Sequence, residues 1–463
     1  MNKLQSETRR HFLKKLALGV GSASILATQS KLQLMQSAMA MSSDYSGLSD
    51  HKSLVCVFLF GGNDSHNMLV PYEQDAYNQY RSVRSDLAIN RDSLLPLKGN
   101  EYALHPSMPE LQTLFNQDKL AVMGNVGSLI EPTSRINYQN ESVQLPADLF
   151  SHNHQQEFWE TGTTATGSTR QPGWGGRMTD MLISANADQN FPALFSVSGN
   201  SVWQRGEKSL DFVLNPNSGV EQIKAFTDKS WPRYKRSRIA AWQKILQQSS
   251  SSLLNQQLSN AYIRADERVS YLVDHYALAP ELTTVFPEEG SFGKQLSTVA
   301  KMISIRENLG MKRQIFFVGL GGWDTHGNQL VDHAERLATL NKGLHSFYKA
   351  TEELNVQDSV TTFTASEFGR SLSINGDGTD HAWAGHQLVM GGAVNGGTIH
   401  GEMPQLILDG PDDAQDTGRL IPKQSVDQYG ATLGKWMGMS NSDLLDIFPN
   451  LSNFNQYDLG FMS

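Results

Sequence analysis

The sequence predicts an α/β protein with a mostly parallel central sheet flanked by helices, and three observations carry that expectation. Two continuous apolar runs, Leu54–Phe60 and Gln314–Leu320, each end in a glycine pair, Gly61-Gly62 and Gly321-Gly322. Runs of this kind are the pattern of strands buried on both faces, as in a parallel sheet. Shorter strand candidates follow at Leu120–Met123, Ser359–Ala365 and Leu388–Met390. Between them lie helix-period segments: Phe292–Leu309, with Leu296, Val299, Ala300, Ile303 and Ile305, and a stretch from Leu330 through Ala334, Leu337, Leu340, Leu344, Phe347 and Leu354. Strand, helix and strand in repeated alternation fit a parallel sheet, whose ligands gather at the carboxyl ends of the strands.

Before the first strand, residues 1–40 read as a twin-arginine (Tat) export signal. Thr8-Arg9-Arg10-His11-Phe12-Leu13-Lys14 supplies the paired arginines, Leu16–Ala27 a mild apolar stretch, and Ala38-Met39-Ala40 a small-x-small cleavage site. That apolar stretch is shorter than the roughly 20 residues a spanning helix needs, and no later segment has the length. The expected organisation is therefore a signal over 1–40, a single domain over 41–463, and a periplasmic location after passage through the Tat machinery. Within the domain, Phe191–Val213 is rich in turn residues and is expected to form a β-rich insertion, and 230–280 is polar and helical. Together they suggest an inserted cap over about 185–290. A closing helix and tail are expected around Tyr429, Trp436 and Phe448-Pro449-Asn450.

Charge and cysteine content narrow the function classes. The chain has a net charge of −9, and with residues 1–40 removed 32 basic and 46 acidic residues remain, a net of −14. Such a surface repels nucleic acid and anionic membranes. An anionic substrate must then meet a locally positive site, which bound cations can create. The single cysteine, Cys56, lies inside the first apolar run, so the fold must rest on its core rather than on a disulfide.

Three polar clusters abut predicted strand ends: Gly61-Gly62-Asn63-Asp64-Ser65-His66-Asn67; Gly321-Gly322-Trp323-Asp324-Thr325-His326-Gly327-Asn328; and Ser366-Glu367-Phe368-Gly369-Arg370 through Gly378-Thr379-Asp380-His381 to His386. Glycines at a strand end permit tight turns and close approach. Asp and His supply oxygen and nitrogen ligands suited to divalent cations. In Asp324-Thr325-His326, residues two apart in extended chain share a side, so both side chains can reach one ion. The remaining polar residues have plainer expectations. His333 and His345 are expected to be surface or packing residues, His105 a loop residue, and Asp412-Asp413 part of a solvated loop. The phosphate loop, the G-x-S-x-G elbow and the H-E-x-x-H helix are missing from the sequence.

Gly61-Gly62-Asn63-Asp64 with Pro71-Tyr72, Gly322-Trp323-Asp324-Thr325-His326, Ser366-Glu367-Phe368-Gly369-Arg370, Gly378-Thr379-Asp380-His381, the later Gly391-Gly392 and Gly396-Gly397, and Phe448-Pro449-Asn450 resemble, as a set, the domain-of-unknown-function 1501 family of Tat-exported bacterial proteins. That family is similar in turn to the alkaline phosphatase and sulfatase superfamily. The resemblance implies an alkaline phosphatase-like architecture and a metal-dependent hydrolase of phosphate or sulfate esters. It implies one or two divalent ions (zinc, manganese or calcium) and an anionic small-molecule or glycan substrate. Asp64, Asp324, His326, Glu367, Asp380 and His381 are the implied ligands, with His386 an alternative late histidine and Arg370 an anion clamp. Glu367 stands where the superfamily usually has an Asp-His dipeptide. Ser151, ahead of an expected helix through Trp159, is the best match to the nucleophile, since a helix N-terminus stabilises an oxyanion; a serine there can equally be a simple helix cap. Trp323, His152 and Asn63 are the candidates for substrate contact. The alternative function is a non-catalytic periplasmic binding or envelope-assembly protein that keeps the same fold.

Overall fold

The structure, a computed structural model, describes residues 44–163, 171–189, 191–209, 212–220, 232–247 and 253–463. The expected export signal over 1–40 lies outside the described residues. In chain order the strands are β1 (Lys52–Phe60), β2 (Leu69–Pro71), β3 (Leu95–Pro96), β4 (Tyr102–Leu104), β5 (Leu120–Gly127), β6 (Leu194–Ser196), β7 (Phe212–Val213), β8 (Arg313–Gly321), β9 (Val360–Ala365), β10 (Arg370–Asn375), β11 (Gly378–His381), β12 (Gly385–Met390), β13 (Ile399–His400) and β14 (Gln424–Ser425). The central sheet runs β13-β5-β12-β9-β1-β8-β6-β7, with β14 also paired to β5. Tyr45–Ser463 forms one compact unit.

The order places β1 at the centre, parallel to β8 on one side and to β9 on the other, with Phe58 opposite both Gly319 and Ala365. The carboxyl ends of β8, β1 and β9 therefore fall side by side. The apolar runs are continuous because both faces are covered. Val55, Val57 and Leu59 pack with Leu296, Val299 and Ile303 of the helix Phe292–Ser304 and with Leu337, Leu340 and Leu344 of the helix Gln329–Glu353. Leu54, Cys56 and Phe58 face the other way, onto Phe158 and Trp159 of the helix His152–Thr161, Trp174 and Met178 of the helix Trp174–Leu182, and Tyr429 and Leu433 of the helix Val426–Trp436. This is the period-2 alternation of a strand read against two helical layers. Cys56 is a buried hydrophobe, as expected.

Four features differ from the sequence expectation. β12 runs antiparallel to β5 and β9. The segment between β9 and β12 holds only the hairpin β10–β11; without a crossover helix the chain returns in the opposite sense. The expected β-rich insertion over Phe191–Val213 instead gives β6 and β7 to the central sheet, where β6 pairs in parallel with β8. Among the described residues the excursion holds the helices Arg233–Gln247 and Leu253–Tyr276. The expected helix to Leu309 stops at Ser304, and tight turns through Gly310, at φ +62°, lead the chain back toward β8. Asp412 and Asp413 are buried rather than solvated. The Asp413 carboxylate accepts from the amides of Asp409, Gln415, Gly418 and Arg419, organising its loop from within.

Trp174 is the hub of the layer under the helix His152–Thr161. Its ring centroid lies 5.0 Å from Trp203, 5.7 Å from Phe363 and 5.6 Å from Phe448, and its Nε1 donates to the Trp159 carbonyl. Trp174→Ala is expected to cost about 3–5 kcal/mol through the cavity it leaves, as read from the urea midpoint of unfolding.

Candidate functional site

The turns after β1, β8 and β9 meet because the backbone is glycine where they touch. Gly61 has φ +122°, and a Cβ there would stand 2.3 Å from the Asp324 amide nitrogen. Gly378 at the start of β11 is pressed against the backbone of His326, where a Cβ would stand 2.3 Å from the carbonyl carbon. Only a residue lacking Cβ lets these segments approach so closely. Asp324 and His326 are thereby brought under the hairpin β10–β11, which carries Arg370 and His381. The N-terminus of the helix His152–Thr161 completes the ring.

Asp324 is the centre of this group. Its Oδ1 accepts from Arg370 Nη1 at 2.8 Å and lies 3.0 Å from His326 Nε2 and 3.3 Å from His381 Nε2. Its Oδ2 lies 3.5 Å from His152 Nε2. His326 Nε2 and His381 Nε2 are themselves 3.0 Å apart. Ligand atoms of His152, Asp324 and His381 lie within 4.8 Å of one another and could hold a metal ion. Asp324 is half-exposed, whereas Arg370 is wholly buried.

Two of the three histidines are held from behind. His381 Nδ1 is 2.9 Å from the carbonyl of Phe150, a group that can only accept, so Nδ1 carries the proton and Nε2 faces Asp324 with its lone pair. Phe150 has φ +72°, a conformation rare for a bulky residue. Burial pushes His381 below the usual imidazole range, so the ring is neutral near pH 7. His152 Nδ1 lies 3.0 Å from Glu367 Oε1, which also accepts from the Gly61 amide at 2.8 Å. The hydrogen bond to Glu367 raises His152, outweighing its partial burial. Burial alone would raise the Asp324 carboxyl. The Arg370 hydrogen bond and charge, with His326 and His152, hold it below its ordinary value. The ring of Phe368 walls the group, stacked on His381 at 4.6 Å and tilted to His152 at 4.8 Å.

The expected residues divide accordingly. Asp324, His326 and His381 converge. His152, expected to touch substrate, belongs with them. Glu367 stands behind His152, and its Oε2 is buried and without a partner among the described residues. Asp380 is peripheral, with Oδ1 3.8 Å from His326 Nδ1. Asp64 does not join the group. It is fully buried, with Oδ2 accepting from Arg84 and Gln329, and burial raises its carboxyl against the opposing pull of Arg84 and Arg370. Arg370 is not a free anion clamp, because its donors are directed to Asp324, the Gly61 carbonyl, and Oγ1 and O of Thr379. Trp323 and Asn63 are core residues. Trp323 Nε1 donates to the Leu320 carbonyl, and Asn63 Oδ1 lies 2.9 Å from His333 Nε2. His386 is buried in β12, where its Nδ1 accepts from the Asn125 amide, and burial depresses it to about 3. Ser151 caps the helix His152–Thr161 by position but makes no side-chain cap hydrogen bond. Its Oγ lies 3.4 Å from His154 Nδ1.

Sequence reasoning missed the Phe150 carbonyl and the Arg84 partner of Asp64. A backbone carbonyl leaves no mark in the residue pattern, and Arg84 reads as an ordinary basic residue at the end of the helix Gln74–Arg84. His152 directly follows the serine that was singled out, so its spacing could have placed it. If Asp64 is a structural ion pair, Arg84→Met should destabilise by about 3–5 kcal/mol and Asp64→Asn/Arg84→Met should recover most of that loss, measured by denaturant unfolding.

The fold is similar to a protein in the alkaline phosphatase superfamily from Vibrio parahaemolyticus (9% identity, covering 86% of this chain and 68% of that one, TM-score 0.35). It is also similar to the soluble domain of lipooligosaccharide phosphoethanolamine transferase A from Neisseria meningitidis (10%, 86% and 91%, 0.34) and to the lipoteichoic acid synthase LtaP from Listeria monocytogenes (10%, 83% and 77%, 0.34). Among curated proteins none matches the sequence. Residues 51–415 match the family described as Protein of unknown function (DUF1501), and with most of its length inside that match the chain belongs to the DUF1501 family.

Proposed function

We propose that the chain is a Tat-exported, periplasmic, metal-dependent hydrolase of phosphate or sulfate esters whose ion is held by Asp324, His381 and His152, with His326 as a fourth donor. One observation carries the reading. The lone pair of His381 Nε2 faces the carboxylate oxygen of Asp324 at 3.3 Å, and two acceptors at that distance call for a positive partner, either the N–H of His326, whose Nε2 is 3.0 Å from both, or a bound cation. The donor set fits such an ion. Ligands about 2.1 Å from a tetrahedral zinc stand about 3.4 Å apart. The contacts Asp324–His326, His326–His381, Asp324–His381 and Asp324–His152 run from 3.0 to 3.5 Å, and the ligand atoms of His152, Asp324 and His381 all lie within 4.8 Å of one another. Imidazole-rich donors favour zinc over manganese, which suits oxygen donors better, and over calcium, which prefers six to eight oxygens. The Glu367–His152 contact is the carboxylate–histidine arrangement that orients metal-bound imidazoles.

Bound there, such an ion would neutralise the ester's charge and polarise its oxygens. The chain's own groups do the rest. Arg370 keeps Asp324 ionised and fixes its carboxylate beside the histidines that would share the ion. Ser151 lies at the N-terminus of a ten-residue helix, whose amide field favours negative charge on an attacking oxygen. Ser151 Oγ lies 3.4 Å and Asp148 Oδ2 3.3 Å from the same His154 Nδ1, and the serine proton leaves with the departing alcohol. Attack by Ser151 Oγ on phosphorus or sulfur releases the alcohol, and water then frees the serine. Among the described residues no helix is long and apolar enough to cross a membrane.

Three outcomes are expected. Elemental analysis of protein purified after export should find about one equivalent of zinc or manganese, lost in a folded Asp324→Ala variant. In a screen of phosphate and sulfate monoesters, Ser151→Ala should lower kcat by at least about 100-fold with metal content unchanged. Metal binding displaces the His152 proton, so affinity should rise with pH through a midpoint above the ordinary imidazole value of about 6.5, and Glu367→Gln should move that midpoint down, as read by zinc titration. In the metal-free protein the sign reverses. A raised His152 pKa means that its contact with Glu367 stabilises the fold at low pH, and this contribution fades as pH rises through the raised value.

A further inference from the structure

The turn that carries Asp324 also forms the wall of a second feature. On the face covered by the helices Phe292–Ser304 and Gln329–Glu353, a cleft of about 620 Å³ opens at the end of β8. Gly321 lines it, three residues before Asp324, and the position above Gly322 is occupied by the Arg336 side chain, whose Cδ would lie 3.3 Å from a Cβ there. A volume in this range suits an organic ligand rather than a lone ion.

Its lining is chemically specific. Arg336 and Lys342 are cations six residues apart on one helix, and both line the cleft. Among the described residues neither donates a hydrogen bond to another protein group. The one ion-pair contact of Arg336 is with Glu335 Oε2 at 3.8 Å, the outer limit for such a pair. Two basic and two acidic side chains line the cleft, so it is locally neutral in a chain whose mature charge is strongly negative, and its two cations are the uncommitted positive groups there. Glu289, Glu335 and Thr339 line the same space and offer oxygen acceptors. Two free cations beside carboxylate and hydroxyl oxygens match a molecule that bears both an anionic substituent and hydroxyl groups.

We propose that this cleft binds the alcohol portion of the ester, and that this portion is a sugar carrying its own phosphate or sulfate, held by Arg336 and Lys342. The assignment of the sugar as leaving group rests on the ester-cleaving reading of the Asp324 site; binding in the cleft does not. The cleft begins where β8 ends, and Gly321 in its lining stands three residues before Asp324, which is the link between the two features. A bare polyanion would be opposed by Glu289 and Glu335. A neutral sugar would leave both cations unmatched, so discrimination follows from both signs together.

The test is binding of N-acetylglucosamine 6-sulfate, beside unsulfated N-acetylglucosamine, by saturation-transfer NMR and calorimetry. The full-length wild type, Arg336→Ala/Lys342→Ala and Asp324→Ala are compared, each checked for an unchanged melting temperature. Expected are preference for the sulfated sugar in the wild type, an affinity loss of at least about tenfold in the Arg336/Lys342 variant, and retention in Asp324→Ala. Equal binding of the two sugars, no binding by the wild type, or unchanged affinity in the Arg336/Lys342 variant would each overturn the proposal. Loss only in Asp324→Ala would also overturn it, while leaving the reading of the Asp324 site standing. Retained cleft binding with no metal at Asp324 would instead remove the ester reading alone.

Discussion

A single buried guanidinium ties the functional end of the molecule together. Arg370 begins β10, yet its donors reach the carbonyl of Gly61 after β1, the carboxylate of Asp324 after β8, and Thr379 in the partner strand of its own hairpin. An arginine can do this because its donors lie in one rigid plane. A fully buried guanidinium is costly unless matched, so each partner is held as firmly as the arginine. The network goes deeper. Thr379 Oγ1 donates to Gln329, and Gln329 donates to Asp64, which also receives Arg84. Two acid–base pairs, one interior and one at the surface, thus share a common frame.

That division explains why carboxylates with similar motifs have different fates. Asp64 sits where solvent is excluded, and Arg84 neutralises it at close range. Asp324 has one face on Arg370 and the other open, with three imidazoles around it. The backs of two of these rings are already fixed, by the Phe150 carbonyl and by Glu367. A ring whose outer nitrogen is tied has its inner nitrogen committed to a lone pair or to an extra proton. The resulting crowd of electron-rich atoms is unfavourable by itself and favourable around a cation. The strained φ of Phe150 is a local cost retained at the point where it fixes the tautomer of His381.

Much of this was legible in the sequence, for physical reasons. Strands buried on both faces leave continuous apolar runs, so β1 and β8 were visible with their glycine turns, and Asp324, His326 and His381 stood out beside them. Motif and position could not distinguish Asp64 from Asp324, because the distinction lies in Arg84, distant in sequence and ordinary in composition. Trp323 looked like a pocket residue because it adjoins Asp324, but consecutive residues in an extended turn point opposite ways, and its indole goes into the core. β6 and β7 were read as an excursion because strands of three and two residues carry too little pattern to declare which sheet they join. The direction of β12 depended on the absence of a crossover helix, a property of its connection rather than of its own residues.

The central claim is that Asp324 and its neighbouring imidazoles enclose one cation. The most direct measurement is the X-ray absorption fine structure of the zinc-reconstituted protein at the metal edge. The account predicts a first shell of nitrogen and oxygen near about 2.0–2.1 Å, with the outer-shell scattering of two or three imidazoles, and loss of the imidazole signal in a His152→Ala/His326→Ala/His381→Ala variant. A shell of oxygens alone, or imidazole scattering that survives in that variant, would contradict it.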